Sequence, residues 1–234
     1  MGLGIIVALP QEAQCLLKRR PRSGEIAEIS QKNLVYISGM GAERARNAAS
    51  YLLEHGATAL MSWGTAAGLD PRIATGALVL PTSVISVEDD TFPVDPRLYE
   101  ILARSLSGIL QFREGALMSC ATLLNSPGEK KALFSKTGAV IADMESVAIA
   151  KVAQDARVPF IAVRVVLDSA HDTVPTWVQS IVTIDGDVRI FSLLRHCLSP
   201  TRVRHLLQLR AKLRLAVRSL VVVADNGIPH ISTV

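Results

Sequence analysis

The sequence predicts an α/β fold with strands and helices alternating around a sheet, and three observations carry that expectation. The stretch VIADMESVAIAKVAQDARVPFIAVRVVLD, from Val140 to Asp168, sets a short apolar run and a longer one, residues 159–167, on either side of a helical pattern. In that pattern Met144, Val147, Ala148, Ile149 and Val152 share a face, as in a helix lying on a sheet. Two earlier apolar runs, residues 3–8 and 34–38, each lead through Pro or Gly into another helical pattern. Finally, 234 residues with 49% hydrophobic and 20% charged content suffice for an ample core, which the 4% aromatic content makes mostly aliphatic.

The first strand is expected over residues 3–8. Pro10 fits the first turn of a helix that Gln11 to Arg19 continue, so Glu12 lies just past a strand end. An acid there complements the helix dipole and also stands at a sheet edge, where chemistry is often placed. The run 34–38 enters GMGAERARNAASYLLEHG, whose Gly39 and Gly41 permit a tight turn with amides facing an anion. The helix from about Ala42 to His55 buries Ala45, Ala48, Ala49 and Leu52 and stops at Gly56. Arg44 stands where a dinucleotide fingerprint needs its third glycine, which favours a plain strand-to-helix turn over an oxidoreductase.

A strand over residues 58–63 precedes GTAAGLDP, where Gly64, Thr65 and Gly68 place flexible backbone and a hydroxyl at the strand's carboxyl end. Residues 77–86 read as a strand made irregular, or put at an edge, by Pro81. The acidic segment 87–95 with Pro93 reads as a loop, followed by a helix over 96–106 and a short strand over 115–120. Ser126-Pro127 caps a helix running to about Lys136. Beyond the 140–168 unit, residues 169–175 form a turn-rich loop and the remainder reads as mostly helical. No linker, low-complexity tract or repeat interrupts the chain, so residues 1–234 are expected to form a single domain.

Several classes are disfavoured. No uncharged apolar run is long enough to span a bilayer, and MGLGIIVALPQEA lacks a signal peptide's basic start and cleavage site. Cys15, Cys120 and Cys197 are odd in number and widely spaced, as expected of reduced thiols in a cytoplasmic protein. With no Cys pair at ligand spacing and scattered His, no metal is expected. The net charge of +4 is uneven, because residues 188–224 hold eight Lys or Arg and no acid. A helix over about 200–222 presents Leu206, Leu209, Leu213, Val217 and Leu220 on one face, with Arg202, Arg210, Lys212, Arg214 and Arg218 mostly elsewhere. That pattern suits a packing helix with a solvated basic face, or one that docks peripherally on an anionic membrane. Without interleaved aromatics it does not suit nucleic acid.

The acids point to a polar site. Asp143 and Glu145 follow the first strand of the 140–168 unit and Asp168 follows the second, so both carboxylate positions are expected at the same edge of one sheet. Ordinary roles compete: helix N-terminal acids for the first two and a loop cap for the third.

Three segments, SGMGAERARNAASYLLEHGATALMSWGTAAGLDP, the DMES motif at Asp143 to Ser146, and AVRVVLD at Ala162 to Asp168, together resemble the nucleoside phosphorylase and nucleosidase family. The branch is similar to 5′-methylthioadenosine/S-adenosylhomocysteine nucleosidase, and GMGAER, ADMES and the leucine- and arginine-rich tail are most like the hopanoid-associated phosphorylases. The resemblance implies a three-layer fold with a mixed central sheet flanked by helices, assembled as a homodimer, and cleavage between ribose C1′ and a base nitrogen. It implies that Glu145 grips the ribose hydroxyls with Met144 against the sugar, and that Asp168 protonates or hydrogen-bonds purine N7. Glu12 matches the hydrolytic base. Thr65, with Gly64 beside it, helps bind the nucleophile; Arg164 matches a family arginine near the nucleophile, which we read as orienting Glu12 or a phosphate. No cofactor is implied, phosphate being a candidate co-substrate.

Two departures stand out. Ser62 occupies the position where many phosphorylases of this family place an arginine, and loss of that anion clamp leans towards water as nucleophile. The base-stacking aromatic falls on Thr122 or Leu123, so aliphatic contact replaces stacking. The expected activity is therefore N-glycosidic cleavage of a purine, by resemblance adenine, nucleoside with a 5′ substituent, as large as adenosylhopane. A soluble 5′-methylthioadenosine/S-adenosylhomocysteine nucleosidase is the alternative within the class, and a non-catalytic nucleoside-binding or membrane-associated protein the alternative outside it.

Overall fold

The computed structural model describes residues 2–30, 32–175 and 200–231. Cys197 and the segment 176–199, expected to be mostly helical, lie outside the described residues. The chain begins β1 (Leu3–Val7), α1 (Pro10–Leu17), β2 (Ile26–Ser30), β3 (Asn33–Ile37), α2 (Ala42–Glu54), β4 (Ala59–Gly68), β5 (Leu78–Ile85) and β6 (Thr91–Pro93). It continues through α3 (Pro96–Leu106), β7 (Phe112–Ser119), α4 (Pro127–Thr137), β8 (Ile141–Asp143), α5 (Ser146–Ala156) and β9 (Phe160–Asp168). After the undescribed segment come α6 (Pro200–Asn226) and α7 (Ile228–Ile231).

The nine strands form one mixed sheet in the order β2-β3-β1-β4-β8-β7-β5-β6, with β9 pairing to β4 and β5. β1 runs parallel to β3 and β4, and β9 parallel to β4, whereas β8 is antiparallel to β4 and β5 antiparallel to β9. Because β7 joins β5 to β8, the strands β4, β9, β5, β7 and β8 close on themselves.

Side-chain alternation along the strands builds a core on each face. Odd positions of β4 and β9 (Ala59, Met61, Trp63; Ile161, Val163, Val165) meet Ala13 of α1, Leu98 and Leu102 of α3, and Ala216, Leu220 and Val223 of α6. Even positions (Leu60, Ala66; Phe160, Ala162, Val166) meet Ala45, Ala48, Ala49 and Leu52 of α2, and Ile149 and Ala153 of α5. The expected three-layer α/β sandwich with a mixed sheet is therefore present. The predicted buried face of α2 is also present.

The structure departs from these expectations in several places. β4 continues through Gly68, so GTAAG is strand rather than turn: Thr65 and Ala66 pair in register with Val165 and Val166 of β9. The segment 87–95 contains β6, which pairs with the end of β5; Pro81 lies at a register shift inside the sheet, the irregular one of the two positions expected for it. β2, unanticipated, forms a hairpin with β3. β8 and β9 run in opposite directions against β4, yet Ala142 and Asp168 both register with Ala67, so the two carboxylate positions of the 140–168 unit lie beside the same end of β4. Hydrophobic spacing places elements but carries no pairing direction.

Among the described residues no helix is long and apolar enough to cross a membrane. α6 is four residues longer than expected and only its second half is anchored in the core, through Ala216, Leu220 and Val223. Leu207 and Leu215 remain 61% and 46% exposed among the outward Arg204, Arg210, Arg214 and Arg218.

Candidate active site

Pro10 starts α1 directly after β1, which puts Glu12 in the first turn with its side chain turned inward, 3% exposed. The carboxylate accepts hydrogen bonds from the Thr65 amide (2.8 Å) and hydroxyl (2.6 Å), with the Leu9 amide more distant at 3.3 Å. Thr65 reaches it because odd positions of β4 face α1. Gly64 is required beside it: a Cβ there would lie 2.7 Å from Glu12 Oε2. Burial raises the Glu12 pKa, against the Thr65 bonds and the charge of Arg164. A buried carboxylate of raised pKa, fixed by a hydroxyl and an amide, is built to accept a proton.

Glu145 stands at the start of α5 and brings together segments 104 residues apart: its Oε1 accepts from the Gly41 amide at 2.8 Å, and Oε2 from its neighbour Met144 at 3.3 Å. The glycine turn before α2 thus does face an anion, and the anion is this carboxylate. Burial, with the Asp143 charge next, pushes Glu145 up to about 7, and the charge of Glu12 adds to the shift, so the two glutamates sense each other. Met144 is half-buried next to it.

Asp143 has a different task. Its carboxylate accepts from Ser119 Oγ (2.9 Å), Ser146 Oγ (2.5 Å), and both Nε (3.1 Å) and a terminal nitrogen (2.7 Å) of Arg164. Arg164, on an even position of β9, also donates to Ser62 Oγ (2.5 Å), Ser146 Oγ (2.9 Å) and the Val163 carbonyl (2.9 Å). Asp143 and Arg164 are essentially fully buried, at 2% and 3% side-chain exposure. Arg164, expected to orient Glu12 or a phosphate, therefore spends its guanidinium on this network and reaches Glu12 only through its charge. Ser62, which stands where an anion-clamping arginine was expected, is a partner of that guanidinium.

Asp168 ends β9 and pairs with Lys130 of α4, a lysine with no exposed surface. Its pKa is raised by burial, with Lys130 opposing. Thr122 and Leu123 lie exposed on the loop between β7 and α4, which also accepts the Val174 amide at Asn125. The structure thus groups Glu12, Gly64, Thr65, Met144 and Glu145, with Arg164 behind them, and puts Asp168 with Lys130. Sequence reasoning missed the anchoring role of Asp143 and Ser146, for which the DMES spacing was a usable signal, and missed Lys130, for which there was none. A separate open cleft of about 750 Å³, lined by Arg20, Arg22, Tyr36, Ser38, Arg44 and Asn47, contains none of these carboxylates. Among the described residues no cluster of His, Cys, Asp and Glu is arranged to hold a metal ion.

Comparison with known proteins bears on the fold and the family. The structure is similar to 5′-methylthioadenosine/S-adenosylhomocysteine nucleosidase from Neisseria meningitidis in complex with methylthio-immucillin-A, at 18% identity and a TM-score of 0.72, covering 97% of each chain. It is similar to futalosine hydrolase of Helicobacter pylori at 16% identity and TM-score 0.67, over 95% of this chain and 97% of that one. It also resembles the Streptococcus pyogenes S-adenosylhomocysteine nucleosidase bound to 5-methylthiotubericidin, at 18% identity and TM-score 0.63, over 90% and 95% of the two chains. At such identities these likenesses establish the fold. No curated protein sequence matches the chain significantly. The sequence model of the phosphorylase superfamily matches residues 3–183, most of the chain and all of the carboxylates described above, so this protein belongs to the phosphorylase superfamily.

Proposed function

We propose that this protein hydrolyses the N-glycosidic bond of a 5′-substituted adenine nucleoside. The observation that carries the reading is the seat of Glu12: a buried carboxylate held by Thr65 and electrostatically coupled to Glu145, while the arginine behind both is engaged by Asp143. Glu145 accepts from the two ribose hydroxyls in place of its resting amide partners. Asp168 delivers a proton to N7, so that when the C1′–N9 bond breaks its electron pair leaves with a neutral base. The cationic sugar is then captured by water as Glu12 takes the water's proton. Water rather than phosphate is the reading supported by the Arg164 guanidinium, which is engaged by Asp143, Ser62, Ser146 and the Val163 carbonyl.

Adenine and the 5′ substituent are supported by the structural relatives, whose ligands are named as methylthio-immucillin-A and 5-methylthiotubericidin. The motif resemblance extends the 5′ group to a large hopanoid chain, and the protein to a homodimer. The exposed Leu207 and Leu215 among outward arginines of α6 support a peripheral contact with an anionic membrane, from which such a substrate is reached.

The test is release of free base from 5′-methylthioadenosine and adenosine, with and without phosphate, for the wild type and Asp168→Asn. Release without phosphate that disappears in the variant is the expected result. Release only with phosphate overturns hydrolysis in favour of phosphorolysis. No release from either, with retained binding of nucleoside analogues, makes the chain a binding protein for these compounds.

A further inference from the structure

Among the described residues, Lys130 is a fully buried charge that the glycosidic chemistry leaves without a role. α4 is firmly started: Ser126 accepts from the Glu129 amide, and the Glu129 carboxylate accepts from the Asn125 and Ser126 amides. That cap fixes the next residue, Lys130, on the side facing the end of β9, whereas Lys131 and Lys136 of the same helix are exposed. A buried ammonium is costly unless its donors are all used. Here they are: Nζ contacts Asp168 Oδ2 and donates to the carbonyls of Ser169 (2.8 Å) and Asp172 (3.1 Å). An ammonium with three donors and three acceptors has none left for a substrate.

We infer that Lys130 is the positioning residue of the base-directed acid, pinning Oδ2 of Asp168 so that Oδ1 is the oxygen presented to the purine. The inference rests on the role proposed for Asp168 above. It also explains why the loop after β9 keeps its shape: the two carbonyls that Lys130 holds flank a turn closed by Ser169, whose amide and hydroxyl donate to Asp172 at 2.7 and 2.9 Å. The charges facing Asp168 are Lys130 from α4, Asp172 from this loop and Lys212 from α6, the last already paired with Asp172 at 2.6 Å. Lys130 is the one in contact.

The test uses Lys130→Met with two substrates. On 5′-methylthioadenosine, where the base must be protonated, kcat should fall by about 100-fold with KM little changed. On 4-nitrophenyl riboside, whose leaving group departs unprotonated, the rate should hold. In an Asp168→Asn background, Lys130→Met should cost nothing further. Equal losses on both substrates, or an added loss in that background, would reduce Lys130 to a residue that merely holds the fold. Independently of turnover, the Asp168 carboxyl followed by ¹³C NMR should titrate at higher pH in the variant, because burial then acts without the counter-charge; an unmoved titration overturns the inference. A wild type that releases no base while the titration still moves would sink the proposed activity and leave the pinning of Asp168 standing. Should Lys130→Met not fold, Lys130→Gln, which keeps a donor for the loop carbonyls, gives the same comparison.

Discussion

Replacing Gly64 with alanine tests the seat of Glu12 without touching a functional group. The added Cβ would lie 2.7 Å from Glu12 Oε2, 3.0 Å from Cδ and 3.1 Å from Oε1, and the backbone there has φ of +153°. Reaching an ordinary contact of about 3.4 Å requires the carboxylate to retreat by roughly 0.7 Å. It cannot retreat and keep both bonds to Thr65, which are only 2.8 and 2.6 Å long. A misplacement on the order of 1 Å at a reacting group costs about 100-fold in rate. The unfavourable backbone conformation adds a folding cost of about 1–3 kcal/mol. We therefore expect Gly64→Ala to fold with a lowered Tm, to bind substrate with KM within about threefold of wild type, and to lose about 100-fold in kcat for base release. Steady-state kinetics alongside thermal denaturation separates the two effects. A folded Gly64→Ala protein with wild-type kcat would refute the assignment of Glu12 as the water-activating base.

Two more outcomes follow from charge. Glu145 is raised from 4.5 to about 7 by burial and by Asp143, so its folded state favours the protonated form. Such a group contributes stability below pH 4.5 that is lost as pH rises through about 7, so the Tm of Glu145→Gln should gain on wild type between pH 5 and 8 while nucleoside affinity falls; parallel Tm profiles would refute it. For α6, Leu207→Asp with Arg214→Glu should abolish co-sedimentation with anionic vesicles and leave binding to neutral vesicles at background, since both residues are exposed and neither holds the core; equal binding by wild type and variant would remove the membrane contact.

The parts of this fold that were legible in the sequence are those set by local chemistry. α3 begins at Pro96 behind an Asp95 cap and α4 at Pro127 behind Ser126, and both starts can be read directly. The alanine face of α2 is visible because it buries against two neighbours at helical spacing. What was missed depends on pairing across distance. β2 alternates half-buried and exposed positions with little apolar signal and exists through its hairpin with β3. Gly64 and Gly68 look like turn residues, yet β9 and β8 hold them in the sheet. At the candidate site, motifs pointed to Glu12, Glu145 and Asp168 as candidates, but Lys130 lies in a polar helix beside Lys131 and only the packing of β9 distinguishes the two. The sequence carried no pairing direction for β8 and β9, which run antiparallel and parallel to β4 and still bring Ala142 and Asp168 beside Ala67.

The choice between water and phosphate illustrates how a network outweighs one substitution. Ser62 alone would merely remove an arginine, leaving Arg164 as a replacement clamp a short way along the neighbouring strand. The proposed hydrolysis draws on the network here: the Arg164 guanidinium is shared among Asp143, Ser62, Ser146 and the Val163 carbonyl in a site with almost no solvent, which argues against that route. Turning it towards a phosphate would strand the buried Asp143 carboxylate, at a cost of about 3–5 kcal/mol. At roughly 1.4 kcal/mol per decade, that penalty would weaken phosphate by about 10²–10⁴-fold relative to a site with a free arginine. Water asks nothing of the guanidinium. It needs a base, and at Glu12 the bonds from Thr65 and the charge of Arg164 oppose the rise that burial gives its pKa. Under the proposed hydrolysis, the serine at position 62 and the aspartate at 143 thus act together: by holding the arginine, they leave the nucleophile to Glu12.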